Sequence, residues 1–315
     1  MNNRITLTQN NPEPVLVIGS LAYDHIMTPV ADSGRIAGGS ANYAALALSQ
    51  FAPGRVVGVV GSDYEQELVE LLETRGMDTA GIERDLSGKT FFWRGRYHEN
   101  FNRRDTLVTE LNVFEHFNPK IPEAYRKSKY VMLGAIHPAL QHSVLDQLED
   151  KEKGAFVLAD TFQLWIDVAR EELLRLFSRV SMISINDAEA ELLTGQDNIF
   201  KAGYALQKKT PIVLIKKGEH GAVLFHEKGL FMLPAYPVLE MQDPTGAGDS
   251  FAGAFIGALS AQGGADFDAL RQAMVYAAAV GSLTVQAFGF NRLIADDISH
   301  EIKKRAQALR ELTQF

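Results

Sequence analysis

The 315-residue sequence contains no cysteine, which excludes disulfide bonds, catalytic thiols and zinc sites built from cysteine. No apolar run approaches the ~20 residues that a membrane-spanning helix needs. Acidic residues outnumber basic ones, and the net charge of −8 does not provide the positive field of a nucleic-acid-binding protein. The polar residues 1–14 lack the apolar segment of a signal peptide. We therefore expect a cytoplasmic protein that binds neither nucleic acid nor membrane.

Several catalytic motifs are also absent. The chain has no GxSxG elbow of a serine hydrolase and no GxxxxGK[ST] phosphate loop. Its histidines do not follow the HxxxH or HExxH spacing of a zinc site. These absences exclude the commonest hydrolase, P-loop and zinc-enzyme classes.

Short apolar runs alternate with amphipathic stretches through most of the chain. Such runs predict buried strands at 15–18, 56–60, 130–133, 156–158, 182–185 and 212–215. Amphipathic stretches predict helices at 41–50, 63–75, 143–151, 167–177, 249–262, 266–285 and 299–312. This alternation predicts an α/β fold with a mostly parallel central sheet. We expect residues 1–14 to form a tail and residues 15–315 to form one domain.

The strongest local signal is the segment DPTGAGD at 243–249, which runs directly into an apolar helix. Gly246, Ala247 and Gly248 leave backbone N–H groups uncovered at the start of this helix, where the helix dipole favours an anion. Asp249 lies at the same helix start, so its carboxylate can accept a hydroxyl proton beside a bound phosphoryl group. From the residues alone, Asp249 could equally be a capping residue after a glycine turn.

This segment resembles the C-terminal signature of the ribokinase-like (PfkB) carbohydrate kinases, and the resemblance extends from about residue 15 to residue 290. The other matching segments are GSLAYD at 19–24, AGGSAN at 37–42, VGSD at 60–63, NDAE at 186–189 and KGEHG at 217–221. The resemblance implies a three-layer α/β sandwich with a small β lid. The lid would be inserted at about 89–118, with a further part from about 20–37.

The resemblance also implies roles for individual residues. Asp249 would be the catalytic base, and the amides of Gly246, Ala247 and Gly248 would form the anion hole. Four further residues would bind the acceptor substrate, although each could instead serve a turn or a helix cap: Asp24, Gly38, Gly39 and Asn42.

The implied cofactors are ATP and Mg²⁺. Asn186 and Glu189 match a motif associated with the Mg²⁺–phosphate network, and the nucleotide-side loop contains Lys217, Gly218 and Gly221. Lys216 and Lys217 could lie near phosphates or at an exposed strand end. Asp243 and Thr245 resemble positions that hold a monovalent cation such as K⁺ in some family members.

The acceptor is open at this point. A free sugar is the first choice and a nucleoside the second, because aromatic residues are frequent in the predicted lid. A phosphosugar is the third, because of four lid arginines: Arg94, Arg96, Arg103 and Arg104. The same segment could also form a homodimer through its sheet edges. A non-catalytic sugar- or nucleotide-binding regulator is the alternative from a different class.

Overall fold

The computed structural model describes residues 4–9, 11–101, 103–149 and 154–314. The strands in these ranges are β1 (Val15–Ile18), β2 (Ala22–Met27), β3 (Asp32–Gly38), β4 (Gly54–Val60), β5 (Met77–Arg84), β6 (Phe91–Tyr97), β7 (Arg104–Glu110), β8 (Tyr130–Leu133), β9 (Phe156–Asp160), β10 (Met182–Asn186), β11 (Ile212–Lys216), β12 (Ala222–His226) and β13 (Gly229–Leu233). The helices are α1 (Ser40–Leu48), α2 (Gln66–Thr74), α3 (Pro138–Gln147), α4 (Gln163–Val168), α5 (Arg170–Phe177), α6 (Asp187–Thr194), α7 (Ile199–Gln207), α8 (Ala247–Gln262), α9 (Phe267–Thr284) and α10 (Ile298–Leu312).

Nine strands form the main sheet, in the order β13-β12-β11-β10-β9-β8-β1-β4-β5. The pairs from β11 through β5 are parallel, whereas β12 and β13 are added antiparallel at one edge. The predicted mostly parallel sheet is confirmed.

Helices cover both faces of this sheet because its strands carry apolar side chains on both sides. In β1, Val15 and Val17 pack into one core with α1, α8, α9 and α10. Leu16 and Ile18 point the opposite way, into a second core with α3, α5, α6 and α7. The structure therefore has three layers, as the resemblance implied.

A second, four-stranded sheet has the order β3-β2-β6-β7. Residues 89–118, the predicted lid, contribute β6 and β7, and residues 20–37 contribute β2 and nearly all of β3. Asp63 connects this small sheet to the main domain. Its carboxylate accepts hydrogen bonds from the Thr90 amide at 2.7 Å and from the Arg35 guanidinium at 2.6 Å.

The structure differs from the sequence prediction in several segments. The strand β5 and the helices α6 and α7 were not predicted. Part of the predicted tail packs on the core, since Ile5 is 2% exposed and its amide donates to the Gln50 carbonyl at 2.7 Å. The predicted helix at 143–151 corresponds to α3, and residues 150–151 lie outside the described residues. Within the described ranges, no helix is both long and apolar enough to cross a membrane.

Candidate active site

A cavity of about 660 Å³ lies at the carboxyl ends of three adjacent parallel strands. Asp160 ends β9, Asn186 ends β10 and Lys216 ends β11, and all three line the cavity. The first turn of α8 forms another part of its wall. Open parallel sheets bind ligands at this edge, because the strand ends and helix N-termini converge there.

The loop before α8 is held in a conformation that requires glycine. Gly246 has φ 73° and precedes the first helical residue, Ala247. A Cβ at Gly246 would overlap the ring of Tyr43, which packs directly beneath the loop. The Thr245 amide donates to Asp243 Oδ1 at 2.8 Å and so braces the turn. This packing fixes the position of the first-turn amides.

Asp249 lies in that first turn, with the amides of Gly248 and Asp249 beside it. The predicted anion-hole amide of Ala247 already donates to the Pro244 carbonyl at 3.3 Å, so it is not open to a ligand. The other first-turn amides have no acceptor within their own helix and can donate to a bound anion. The pKa of Asp249 is raised to about 7, mainly by burial and also by the charge of Asp160, while the charge of Lys216 limits the rise. A carboxylate with a pKa near neutrality suits proton transfer from a hydroxyl group.

Lys216 reaches the same region from β11. Its Nζ lies 3.0 Å from Asp160 Oδ2, and the side chains are 16% and 5% exposed respectively. Nζ is also 3.1 Å from the point that a Cβ at Gly248 would occupy. Burial opposes the charge, but Asp160, Glu189 and Asp249 raise the pKa of Lys216 overall. The lysine is therefore a protonated group beside the helix start.

Asn186 and Glu189 close the N-terminus of α6 as a capping box. The Asn186 amide donates to Glu189 Oε2 at 2.9 Å, and the Glu189 amide donates to Asn186 Oδ1 at 2.8 Å. Burial raises the pKa of Glu189 to about 7, with a further contribution from Asp160. This capping fixes the Glu189 carboxyl in the cavity wall.

The predicted nucleotide-side loop lines the cavity with Gly218 and Gly221 but not with Lys217. The Lys217 amide donates to the Gly221 carbonyl at 2.7 Å, so Lys217 contributes its backbone to the turn. Gly221 has φ 83°, and a side chain there would overlap the Leu233 carbonyl.

The four predicted acceptor-binding residues lie together and are not among the residues that line this cavity, although the charges of Asp243 and Asp249 reach Asp24. The Asp24 carboxylate fills the place that a Cβ at Gly38 would take, and it accepts a hydrogen bond from the Gly39 amide. Gly39 has φ 91°, and its Cβ would lie 2.5 Å from the Ser20 carbonyl. Burial raises the pKa of Asp24 to about 7, with further contributions from the charges of Asp243 and Asp249.

Asn42 is 2% exposed, and protein groups occupy its amide. Its Nδ2 donates to the Gly38 carbonyl at 2.6 Å and to the Tyr64 hydroxyl at 3.0 Å. In this structure Asn42 therefore positions the glycine pair, while Asp24 provides the charged group.

Asp243 is fully buried, and burial raises its pKa to about 6. Its Oδ1 accepts from Thr245, but its Oδ2 has no hydrogen-bond partner among the described residues. A buried carboxylate oxygen without a partner is unfavourable, so this atom fits a bound cation. No group of three His, Asp or Glu side chains suited to a metal occurs in the described residues. A divalent ion here would need nucleotide phosphates and water as ligands.

The structure adds two functional candidates, Asp160 and Tyr43, and singles out one of the predicted lid arginines. Asp160 ends a buried strand, a pattern visible in the sequence FVLAD at 156–160. Tyr43 carries a buried hydroxyl without a partner among the described residues. Burial, together with the charges of Asp24, Asp243 and Asp249, raises the pKa of this hydroxyl. Of the four lid arginines, Arg104 lines the cavity, with its guanidinium carbon 5.3 Å from the Phe162 ring centre.

Comparison with known proteins identifies relatives over most of the chain. The profile of the pfkB family carbohydrate kinases matches residues 13–296. Cytidine kinase from Thermococcus kodakarensis is 32% identical over 256 residues, which cover 78% of this chain and 88% of the relative. Fructokinase-1 from Oryza sativa subsp. japonica is 24% identical over 270 residues, which cover 80% and 83%. Aminoimidazole riboside kinase from Salmonella enterica, solved with aminoimidazole riboside and an ATP analogue, superimposes with a TM-score of 0.75 at 22% identity, covering 93% of this chain and 99% of that one.

Proposed function

The chain belongs to the pfkB family of carbohydrate kinases, and on this basis we propose that it transfers the γ-phosphoryl group of ATP to a hydroxyl of a nucleoside or sugar. The observation that carries the proposal is the position of Asp249. One carboxylate with a pKa of about 7 lies in the same helix turn as amides that are open to an anion.

The reaction would be a direct in-line displacement. The acceptor oxygen forms a bond to the γ-phosphorus while the bond from that phosphorus to the β,γ-bridging oxygen breaks, and ADP leaves. Asp249 takes the proton of the attacking hydroxyl. The amides of Gly248 and Asp249 donate to the phosphoryl oxygens, where negative charge develops.

The cavity offers groups that could hold the cofactors. Bound Mg²⁺ neutralises phosphate charge, and Glu189 would hold it through water because one of its oxygens already caps α6. Gly218 and Gly221 would border the nucleotide. The unpartnered Oδ2 of Asp243 would contribute to a monovalent cation site near Thr245.

For the acceptor we favour a nucleoside, because the relative at 32% identity is a cytidine kinase. The carboxylate of Asp24 would accept hydrogen bonds from two neighbouring hydroxyls of the ribose. A free sugar is the second candidate, and the fructokinase relative supports it. Both acceptors present a polyol to the same carboxylate.

The test is ADP release from ATP and Mg²⁺ with nucleosides, free pentoses and hexoses, and phosphosugars, with and without K⁺. We expect one acceptor class to give turnover, and Asp249→Asn to reduce kcat by more than about 100-fold. The matched control is Asp268→Asn, since Asp268 is also in the first turn of a helix but is 86% exposed.

Near-normal turnover of Asp249→Asn would overturn the assignment of the base. If folded protein binds ATP yet no acceptor in the panel gives turnover, the non-catalytic binding protein becomes the better interpretation.

A further inference from the structure

Lys216 is a largely buried cation that lies beside a helix N-terminus. Its ammonium lies beside Gly248, at the N-terminus of α8, where the helix dipole is also positive. The carboxylates of Asp160, Glu189 and Asp249 favour its charged form. The ammonium and the first-turn amides thus place several N–H donors side by side at the cavity wall.

The hydrogen bonding of Lys216 is also incomplete. An ammonium has three N–H donors. Among the described residues, its one hydrogen bond goes to Asp160 Oδ2, at 3.0 Å. The side chain remains 16% exposed, on the cavity side, and Gly248 has no side chain that would fill the adjacent space.

The contact with Asp160 explains how the Lys216 side chain is oriented, but it uses only one of the three N–H donors of the ammonium. The two residues end β11 and β9, which flank β10, so their backbones are fixed by the parallel sheet. A single carboxylate contact holds Nζ in place and leaves the other donors directed away from Asp160. An ion pair that served stability alone would not need an opening beside a helix N-terminus.

From this geometry we propose that Lys216 is a catalytic residue that binds the γ-phosphate, with Asp160 as the residue that positions it. This proposal rests on the kinase function proposed above. The ammonium and the amides of Gly248 and Asp249 would contact the same phosphoryl group from different sides. Charge-assisted contacts to a transferring phosphoryl group strengthen as its oxygens gain charge, so Lys216 would act on both binding and kcat.

The experiment compares Lys216→Met with wild type in two measurements. Calorimetry without acceptor gives the affinities for ADP·Mg²⁺ and for the non-hydrolysable AMP-PNP·Mg²⁺. We expect Lys216→Met to weaken AMP-PNP binding at least about 10-fold and ADP binding less than about 3-fold, because only the former carries a γ-phosphate. We expect kcat to fall about 100-fold. The control is Lys129→Met, which removes an exposed lysine that is also paired with a carboxylate, Glu13.

A second variant separates catalysis from structural charge pairing. Lys216→Met leaves Asp160 as a buried carboxylate without its partner, which could destabilise the fold. The double variant Lys216→Met/Asp160→Asn removes both charges. If Lys216 serves only to neutralise Asp160, the double variant regains turnover and AMP-PNP affinity. Our proposal requires both to stay low.

Equal weakening of ADP and AMP-PNP binding, or recovery in the double variant, would overturn the proposal. These outcomes do not depend on finding the acceptor, because the binding comparison uses nucleotides alone. Suppose that wild-type protein binds AMP-PNP more tightly than Lys216→Met does, yet gives no turnover. That result would contradict the kinase function but would support the contact between Lys216 and the γ-phosphate.

Discussion

The hydroxyl of Thr245 donates a hydrogen bond of 3.1 Å to the phenol oxygen of Tyr97. Tyr97 ends β6 in the small sheet, and Thr245 lies in the loop that precedes α8. Tyr97 is 8% exposed, so this contact is shielded from water. The hydrogen bond thus joins the small sheet directly to the loop that positions the anion-binding amides.

This contact predicts an effect of Tyr97→Phe on substrate capture. A neutral hydrogen bond contributes about 1 kcal/mol, so we expect kcat/KM for the acceptor to fall about fivefold. We also expect hydrolysis of ATP without acceptor to rise, because weaker contact of the small sheet admits water. Tyr204→Phe is the control, since Tyr204 is 52% exposed on α7. Unchanged kinetics in Tyr97→Phe would show that the contact has no role in turnover.

The loop conformation predicts that Gly246→Ala is damaging. Alanine at φ 73° is strained by about 1–3 kcal/mol, and its methyl group would overlap the Tyr43 ring. The loop must then shift, so we expect a lower melting temperature and a kcat reduced by more than about 10-fold. Gly264→Ala is a matched control, because no heavy atom lies within 4 Å of its Cβ position. Equal effects of both substitutions would contradict this account.

The raised pKa of Asp249 predicts an acid limb in the pH profile of kcat/KM. The base must be ionised, and its pKa is about 7, so activity should fall as the pH drops below about 7. Removing the charge of Asp160 should lower the pKa of Asp249. The acid limb of Asp160→Asn should therefore move to lower pH, whatever its kcat. If the acid limb of Asp160→Asn stays at the wild-type pH, the limb does not report the ionisation of Asp249. Asp268→Asn is the control for the general effect of removing a negative charge.

Much of the fold was predictable because buried parallel strands are continuous apolar runs. The run at 130–133 corresponds to β8 without a shift. The strand β5 was missed because its sequence, MDTAGIER, mixes polar and apolar residues. It pairs at the edge of the sheet, where one face remains open to solvent, so hydrophobic pattern alone does not mark it.

The candidate site was predictable where it is local in sequence and not where the fold assembles it. The loop and base at 243–249 form one continuous segment, and Asp249 lies in the first turn of α8. Asp160 and Lys216 are 56 residues apart and meet only through the strand order. The choice between Lys216 and Lys217 depends on which side chain faces the cavity. Successive side chains along a strand point in opposite directions, so only one of the two lysines can face the cavity. The structure shows that it is Lys216, the last residue of β11.

The burial of Asp24 has a consequence for stability that can be measured apart from activity. Its pKa rises from 3.8 to about 7 on folding, so the folded state binds more protons than the unfolded state between these values. Stability therefore decreases as the pH rises through this window, and the full penalty is present above about pH 7. The shift corresponds to at most about 4 kcal/mol.

Asp24→Asn should remove this penalty while its side-chain oxygen still accepts from the Gly39 amide. We expect urea unfolding at about pH 8.5 to show a larger free energy of unfolding than wild type, and the gain to shrink towards about pH 5, where wild-type Asp24 is protonated in the fold. Asp296→Asn, on the exposed surface, should show no such pH dependence. A loss of stability of equal size at both pH values would mean that the Asp24 side chain contributes independently of its charge, and it would contradict a penalty from burying the carboxylate.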